Sequence, residues 1–243
     1  QPDGVAKLCL GCHDGTVAIN ANTSVYGGVG YSDVSSDQSF PTAVQRIDSL
    51  GNFTVRNGFY DEFNKTTSAD VGLRTRFKTG AIGHTVVAAA NYMDRESGYF
   101  YQLTTKAVPS NIYNPSPLPA IDFVRGAPTK NAELTQHSLA LADTMALFSD
   151  RLLVTVGLRD QTIDQKNASG TTLYKASAVT PLAGVVFKPQ NHVAVYANYT
   201  AGLSAGGTAG PNTANAGQVF APQKSKQYEV GVKVDWGRMT TQA

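Results

Sequence analysis

The stretch Gln227 to Trp236, QYEVGVKVDW, decides the fold. Tyr228, Val230, Val232, Val234 and Trp236 alternate with Glu229, Gly231, Lys233 and Asp235. A period of two belongs to a β-strand, here with one apolar and one charged face. Arg151 to Gln161 repeats the pattern, with Leu152, Val154, Val156 and Leu158 set against Thr155, Gly157, Arg159 and Gln161. In Asp70 to Phe77 the residues Val71, Leu73 and Phe77 oppose Asp70, Gly72, Arg74 and Arg76, and His192 to Tyr199 is a softer version. Helix signals are nearly absent; only Leu139 to Phe148, LALADTMALF, fits a helix as well as a strand. The chain therefore reads as all-β.

Working outward from these strands, the connections alternate between short and long. Lys78 to Gly83, Ser149 to Asp150, Lys188 to Asn191 and a turn near Gly237 are short. Ser32 to Thr66, with an extra hairpin expected around Phe53 to Tyr60, Gly98 to Ala132, Asp164 to Thr171 and Leu203 to Pro222 read as long loops. An antiparallel meander with tight turns at one end and long loops at the other is the layout of an outer-membrane β-barrel, short turns periplasmic and long loops extracellular. Phe77, Phe148, Phe187 and Trp236 each stand just before a short turn, where an interfacial aromatic girdle belongs. At roughly 10 membrane-spanning residues per strand plus loops, the chain holds about eight or nine strands of a partial transmembrane barrel.

Composition agrees. Of 243 residues, 42% are hydrophobic and 16% charged, with a net charge of +2, which speaks against a disordered chain and against a nucleic-acid binder with a basic face. No apolar run approaches the roughly 20 residues of a membrane-spanning helix. Alternating strands average to mild polarity, so a membrane barrel stays open. Paired carboxylates and a G-x-S-x-G elbow are absent, no enzymatic chemistry is indicated, and Gly27-Gly28-Val29-Gly30 lacks the setting of a phosphate loop.

Val195 to Arg238, with VYANYTAGLSAGG, the run Ala214-Asn215-Ala216-Gly217 and FAPQKSKQYEVGVKVDWGR, resembles the late barrel strands of TonB-dependent outer-membrane siderophore receptors. ADVGLRTRFKTGAIGHTVV, LADTMALFSDRLLVTVGLRDQTID and VYGGVGYSD resemble earlier units of the same barrel, so the resemblance covers roughly 21 to 241. It implies ferric siderophore uptake across the bacterial outer membrane, with outer-membrane lipid as surroundings and the TonB complex as partner of the full-length protein only. Family members carry a plug domain and twenty-two strands, so the chain is expected to be a receptor fragment or a truncated relative. Tyr99, Phe100, Tyr101 and Tyr113, with Arg125, are candidate ligand contacts, because aromatic rings and a guanidinium suit an anionic iron chelate.

One segment stands apart. Cys9-Leu10-Gly11-Cys12-His13, within KLCLGCHDGTVA, is the C-x-x-C-H pattern of c-type haem attachment, two thiols for the porphyrin vinyls and an axial histidine; its context resembles multihaem cytochromes. Residues 1–20 are accordingly expected as an N-terminal segment and 21–243 as the partial barrel. Three readings of the motif stay open: covalent haem, inert or redox thiols, and a metal site lacking a fourth ligand. The competing functions are a c-type cytochrome, periplasmic or extracellular, and a small closed outer-membrane barrel acting as anchor or adhesin.

Overall fold

The computed structural model describes residues 5–210, 213–237 and 239–242, with the side chains of 11–210, 213–237 and 239–241. Eleven strands make up its regular structure: β1 (Val5–Ala18), β2 (Thr23–Ala43), β3 (Asn52–Thr79), β4 (Ile82–Leu103), β5 (Val108–Asn111), β6 (Thr129–Leu147), β7 (Leu152–Asn167), β8 (Thr172–Gln190), β9 (Val193–Ser204), β10 (Gln223–Asp235) and β11 (Thr240–Gln242). They form one antiparallel sheet in the order β1-β2-β3-β4-β6-β7-β8-β9-β10-β11, with short β5 added beside β3. Nine strands are long and two are short fragments, which matches the expected eight or nine. The order is an open path with β1 and β11 at its ends, so a small closed barrel is not the arrangement among the described residues.

Register explains the sidedness. Val156 pairs with Ala183, Val185 with Ala197, Ala197 with Val230 and Val195 with Val232. Opposed residues of an antiparallel ladder share a face, so the alternating residues of β7 to β10 merge into one apolar surface. Val230 on that surface is 79% exposed, and Val156, Leu158, Val179 and Tyr228 are exposed with it. On the opposite face Tyr196 is buried, donates its hydroxyl to Glu229 at 2.8 Å and lies 5.3 Å beneath the Lys233 ammonium. Thr144 and Thr155 share a hydrogen bond of 2.9 Å across β6 and β7 on this polar face.

Leu139 to Phe148, which fitted a helix equally well, is strand. Leu139 and Leu141 stand exposed on the apolar face, while a Cβ on Gly157 would sit 2.8 Å from that of Ala142 on the other, the period of two expected of a sheet. Phe77, Phe148 and Phe187 are exposed at the short turns 80–81, 148–151 and 191–192, and Trp236 is exposed just after β10. Phe148, Ser149 and Asp150 all have positive φ (53°, 55° and 66°), which closes the β6–β7 turn tightly.

Two expected loops are shorter than the sequence suggested. Ser32 to Thr66 is mostly strand: β2 runs to Ala43 and β3 starts at Asn52, leaving 44–51 as the loop, and Phe53 to Tyr60 belongs to β3 rather than to a separate hairpin. Polar residues there pair through the backbone and cross-strand rings, which hydropathy does not record. Asp164 to Thr171 shrinks to 168–171, because the Asn167 carboxamide oxygen accepts the amides of Ser169 (3.1 Å) and Thr171 (2.9 Å) around Gly170 at φ 83°. The motif segment lies in β1, and the expected boundary at residue 20 falls in the turn before β2.

The strands contribute to two compact units. The first contains residues 5–11, Tyr31–Thr66 and Arg95–Glu133; the second contains Cys12–Gly30, Thr67–Asp94 and the described residues from Leu134 onward. The second is centred on buried Leu134, Ile163, Ala178 and Leu203, with Met93, Tyr174 and Ala205 against them. The chain after β9 folds onto this cluster: Gln161 Nε2 donates to the Leu203 carbonyl (3.0 Å) and the Gly206 amide to the Tyr174 hydroxyl (3.0 Å).

Candidate functional site

The first unit carries the candidate surface. The Val44 amide donates to the Thr54 carbonyl (3.0 Å), setting the β2–β3 register, and the Thr104 amide to that of Asn57 (2.8 Å), setting β3–β4. Alternation then directs Phe40, Tyr60, Tyr99 and Tyr101 to one face. Tyr60 stacks on Tyr99 at 5.9 Å, Phe40 lies 5.9 Å from Tyr101, and Tyr60 meets Phe40 and Tyr101 edge-on at 6.4 and 6.2 Å. Tyr99 and Tyr101 are exposed, so the cluster is a surface rather than a core. Burial, and then neighbouring Glu62, push the Tyr60 phenol above its ordinary value.

The other face of these strands holds the loop 112–128. Arg125 lies 4.3 Å over the Phe59 ring, donates from Nε to Asp61 at 2.6 Å and makes a second bond from Nη2 to the same carboxylate. Asp61 is 2% exposed and also accepts the Gln38 amide at 3.0 Å. These hydrogen bonds, Arg125 foremost, hold its carboxyl below the usual carboxylate range, and the carboxylate in turn raises the guanidinium. Phe123 packs edge-on against Phe59 at 5.9 Å, Asn57 Nδ2 donates to the Pro119 carbonyl (3.3 Å), and Asp122 accepts the Thr105 amide (3.0 Å). The loop is pinned at several points.

Of the residues singled out from sequence, the structure brings Tyr99 and Tyr101 together. Arg125 is already engaged with Asp61, Phe100 packs against Gly126 in the pinned loop, and Tyr113, 82% exposed, stands apart beside Gly51. Phe40 and Tyr60 were missed. Their signal was the alternation of β2 and β3 continuing through segments read as loop.

Cys12 and His13 are exposed on β1, and the Cys9 side chain lies outside the described residues. Among the described residues no group of three or more His, Cys, Asp or Glu is placed to hold a metal ion. His84 and His137 do not converge either: His84 Nδ1 bonds Asp143 at 2.7 Å and stacks on Phe77 at 4.9 Å.

A family model described as TonB dependent receptor-like, beta-barrel, matches residues 13–243. The chain belongs to the TonB-dependent receptor β-barrel family. Such receptors are bacterial outer-membrane β-barrel proteins, which places this barrel wall in the bacterial outer membrane. The ferrichrome receptor FcuA of Yersinia enterocolitica is 29% identical over 89% of this chain and 30% of its own length. The ferrioxamine B receptor of Salmonella typhimurium is 29% identical over 76% of this chain and 26% of its own. Among solved structures, BauA, the ferric preacinetobactin receptor of Acinetobacter baumannii, superposes with a TM-score of 0.77 at 30% identity, covering 96% of this chain and 36% of that one. The chain thus spans about a third of the receptors it matches. The homologues are transport receptors, not enzymes.

Proposed function

We propose that this chain is part of a receptor that captures a ferric siderophore outside the cell and admits it through the outer membrane, driven by the TonB complex in the full-length protein. The relatives named for ferrichrome, ferrioxamine B and preacinetobactin support the cargo class. The observation that carries the reading is the exposed face of Phe40, Tyr60, Tyr99 and Tyr101. Rings ordered by their neighbours offer a ligand large flat contacts at low entropic cost.

The test is uptake of iron-55 siderophores by cells expressing the full-length receptor and lacking their own receptors. TonB-dependent uptake of at least one chelate is expected, and its loss in the Tyr60→Ala/Tyr99→Ala/Tyr101→Ala variant at normal surface expression. Uptake indifferent to TonB, or unchanged in that variant, contradicts the proposal.

A further inference from the structure

We infer that His84, backed by Asp143, docks the phosphate of a bilayer phospholipid on the apolar face, in the leaflet at the short-turn end; this rests on the receptor reading above, which sets that face against lipid. Side-chain hydrogen bonds from Thr135 to Asp94 (3.0 Å) and from Ser138 to Asn91 (3.3 Å), with Gly83 beside Ala146, set the register of β4 against β6. His84 then lies beside Met145, and Asp143 lies beside Val86, one step farther from the β3–β4 turn. Leu139 and Leu141 are exposed on the apolar face, and alternation puts Asp143 on it as well. The bond between Thr144 and Thr155 aligns β7 so that Val154 and Val156 are the next neighbours. An imidazole and a carboxylate are thus set among uncharged side chains. Ionisable groups within a membrane-facing surface are costly, rare and by default functional.

The carboxylate orients the ring rather than meeting the ligand itself. Asp143 Oδ2 lies 2.7 Å from His84 Nδ1, and Oδ1 is enclosed without a partner. Phe77 stacks on the imidazole at 4.9 Å with 10° between the planes, which fixes the tilt of the ring. Nε2 is the polar atom that remains. Among the described residues it has no hydrogen-bond partner, yet it is not enclosed as Asp143 Oδ1 is, and 15% of the His84 side chain is exposed. The two nitrogens of an imidazole point in nearly opposite directions, and Asp143 lies on the side away from the turn. Nε2 therefore faces the turn end, where Phe77, Phe148 and Phe187 mark the boundary of the apolar band. A protonated imidazole donates from both nitrogens, so with Nδ1 held by the carboxylate the second N–H is left for an anionic oxygen of the bilayer. At that depth the anion is the phosphate diester of a phospholipid. Lys78, exposed beside the same turn and in no ion pair among the described residues, adds positive charge at this end.

The experiment is denaturant titration of the full-length receptor at about pH 5.5, where imidazoles are protonated, in vesicles of phosphatidylcholine and in vesicles of digalactosyldiacylglycerol, an uncharged lipid without phosphate. His84→Leu removes the imidazole, and heat-modifiable mobility confirms that each variant folds. The ratio of the wild-type to the His84→Leu folding constant should be roughly 3- to 10-fold larger in phosphatidylcholine than in the galactolipid, the range for one accessible hydrogen bond. Taking the ratio cancels the bulk difference between the two bilayers. His84→Lys keeps a cationic donor and should retain most of that excess, whereas Asp143→Asn, which leaves the ring without its carboxylate, should diminish it. Ratios within twofold of each other in the two vesicles make the pair purely structural and overturn the inference while leaving the receptor reading intact, as does loss of the excess in His84→Lys. Val230→Arg on the same face, without cost in either vesicle, would show that the face does not meet lipid and would overturn both.

Discussion

Val230→Arg puts a charge into the exposed apolar surface that the receptor reading sets against lipid. Val230 is 79% exposed, opposite Ala197 in the β9–β10 ladder, with Val232 and Val195 as the adjacent pair. Trp236 marks one membrane boundary and lies six residues along the chain, about 20 Å at ~3.3 Å per residue. With a strand tilt of about 40°, that becomes roughly 15 Å along the membrane normal, close to the middle of an apolar band about 25 Å tall. An arginine near mid-depth costs about 2–4 kcal/mol, which is roughly a 30- to 900-fold change in the folding equilibrium. Asn198→Arg is the matched control. Asn198 lies one residue from Ala197 on the polar face, between Gly184 and Glu229, where a guanidinium finds a carboxylate and no lipid. Its cost should stay below about 1 kcal/mol. The assay is denaturant titration of the full-length receptor in lipid vesicles, followed by heat-modifiable mobility. Equal costs for the two arginines, or a Val230→Arg cost below about 0.5 kcal/mol, would show the faces to be misassigned.

Three further outcomes are expected. Asp61→Asn leaves Arg125 without its carboxylate and should loosen the loop 112–128 by about 1–3 kcal/mol, seen as faster amide exchange there with the strands of the second unit unaffected. Since pairing holds Asp61 below the ordinary carboxylate value of about 3.9, its stabilisation is fully present above that value and is lost only as pH falls through the lowered one; protection of the loop amides relative to their intrinsic exchange rate should therefore be unchanged between pH 7 and about pH 5, and a loss of protection already at pH 6 would contradict the pairing. Gly157→Ala would bring its Cβ to 2.8 Å from both the Ala142 Cβ and the Leu141 carbonyl oxygen, and should destabilise the barrel by about 1–3 kcal/mol in the same vesicle titration.

Much of the second unit could be read directly from residues. Val230, Val156 and Leu73 alternate with Lys233, Gly157 and Arg74, one face apolar and the other not, and hydropathy records that contrast. The four aromatics before the short turns were legible for the same reason. The first unit was harder to read. Phe40 and Tyr60 sit in strands that extend with mixed polarity on both faces, so β2 and β3 look like loop until their backbone pairing is seen. Arg125 illustrates the remaining gap: its charge was visible, but its engagement by Asp61, 64 residues away in sequence, depends on where the loop folds back.

The most direct test of the account is which residues lie outside the cell. Single cysteines at Tyr113→Cys in the pinned loop and Ser149→Cys in the β6–β7 turn, in a full-length receptor carrying Cys9→Ser and Cys12→Ser, are treated on intact cells with a membrane-impermeant maleimide. Labelling at position 113 on intact cells, and at position 149 only after the outer membrane is permeabilised, is the predicted result. Labelling of position 149 on intact cells, or of neither position until permeabilisation, would contradict a wall that crosses the outer membrane with its aromatic face outside.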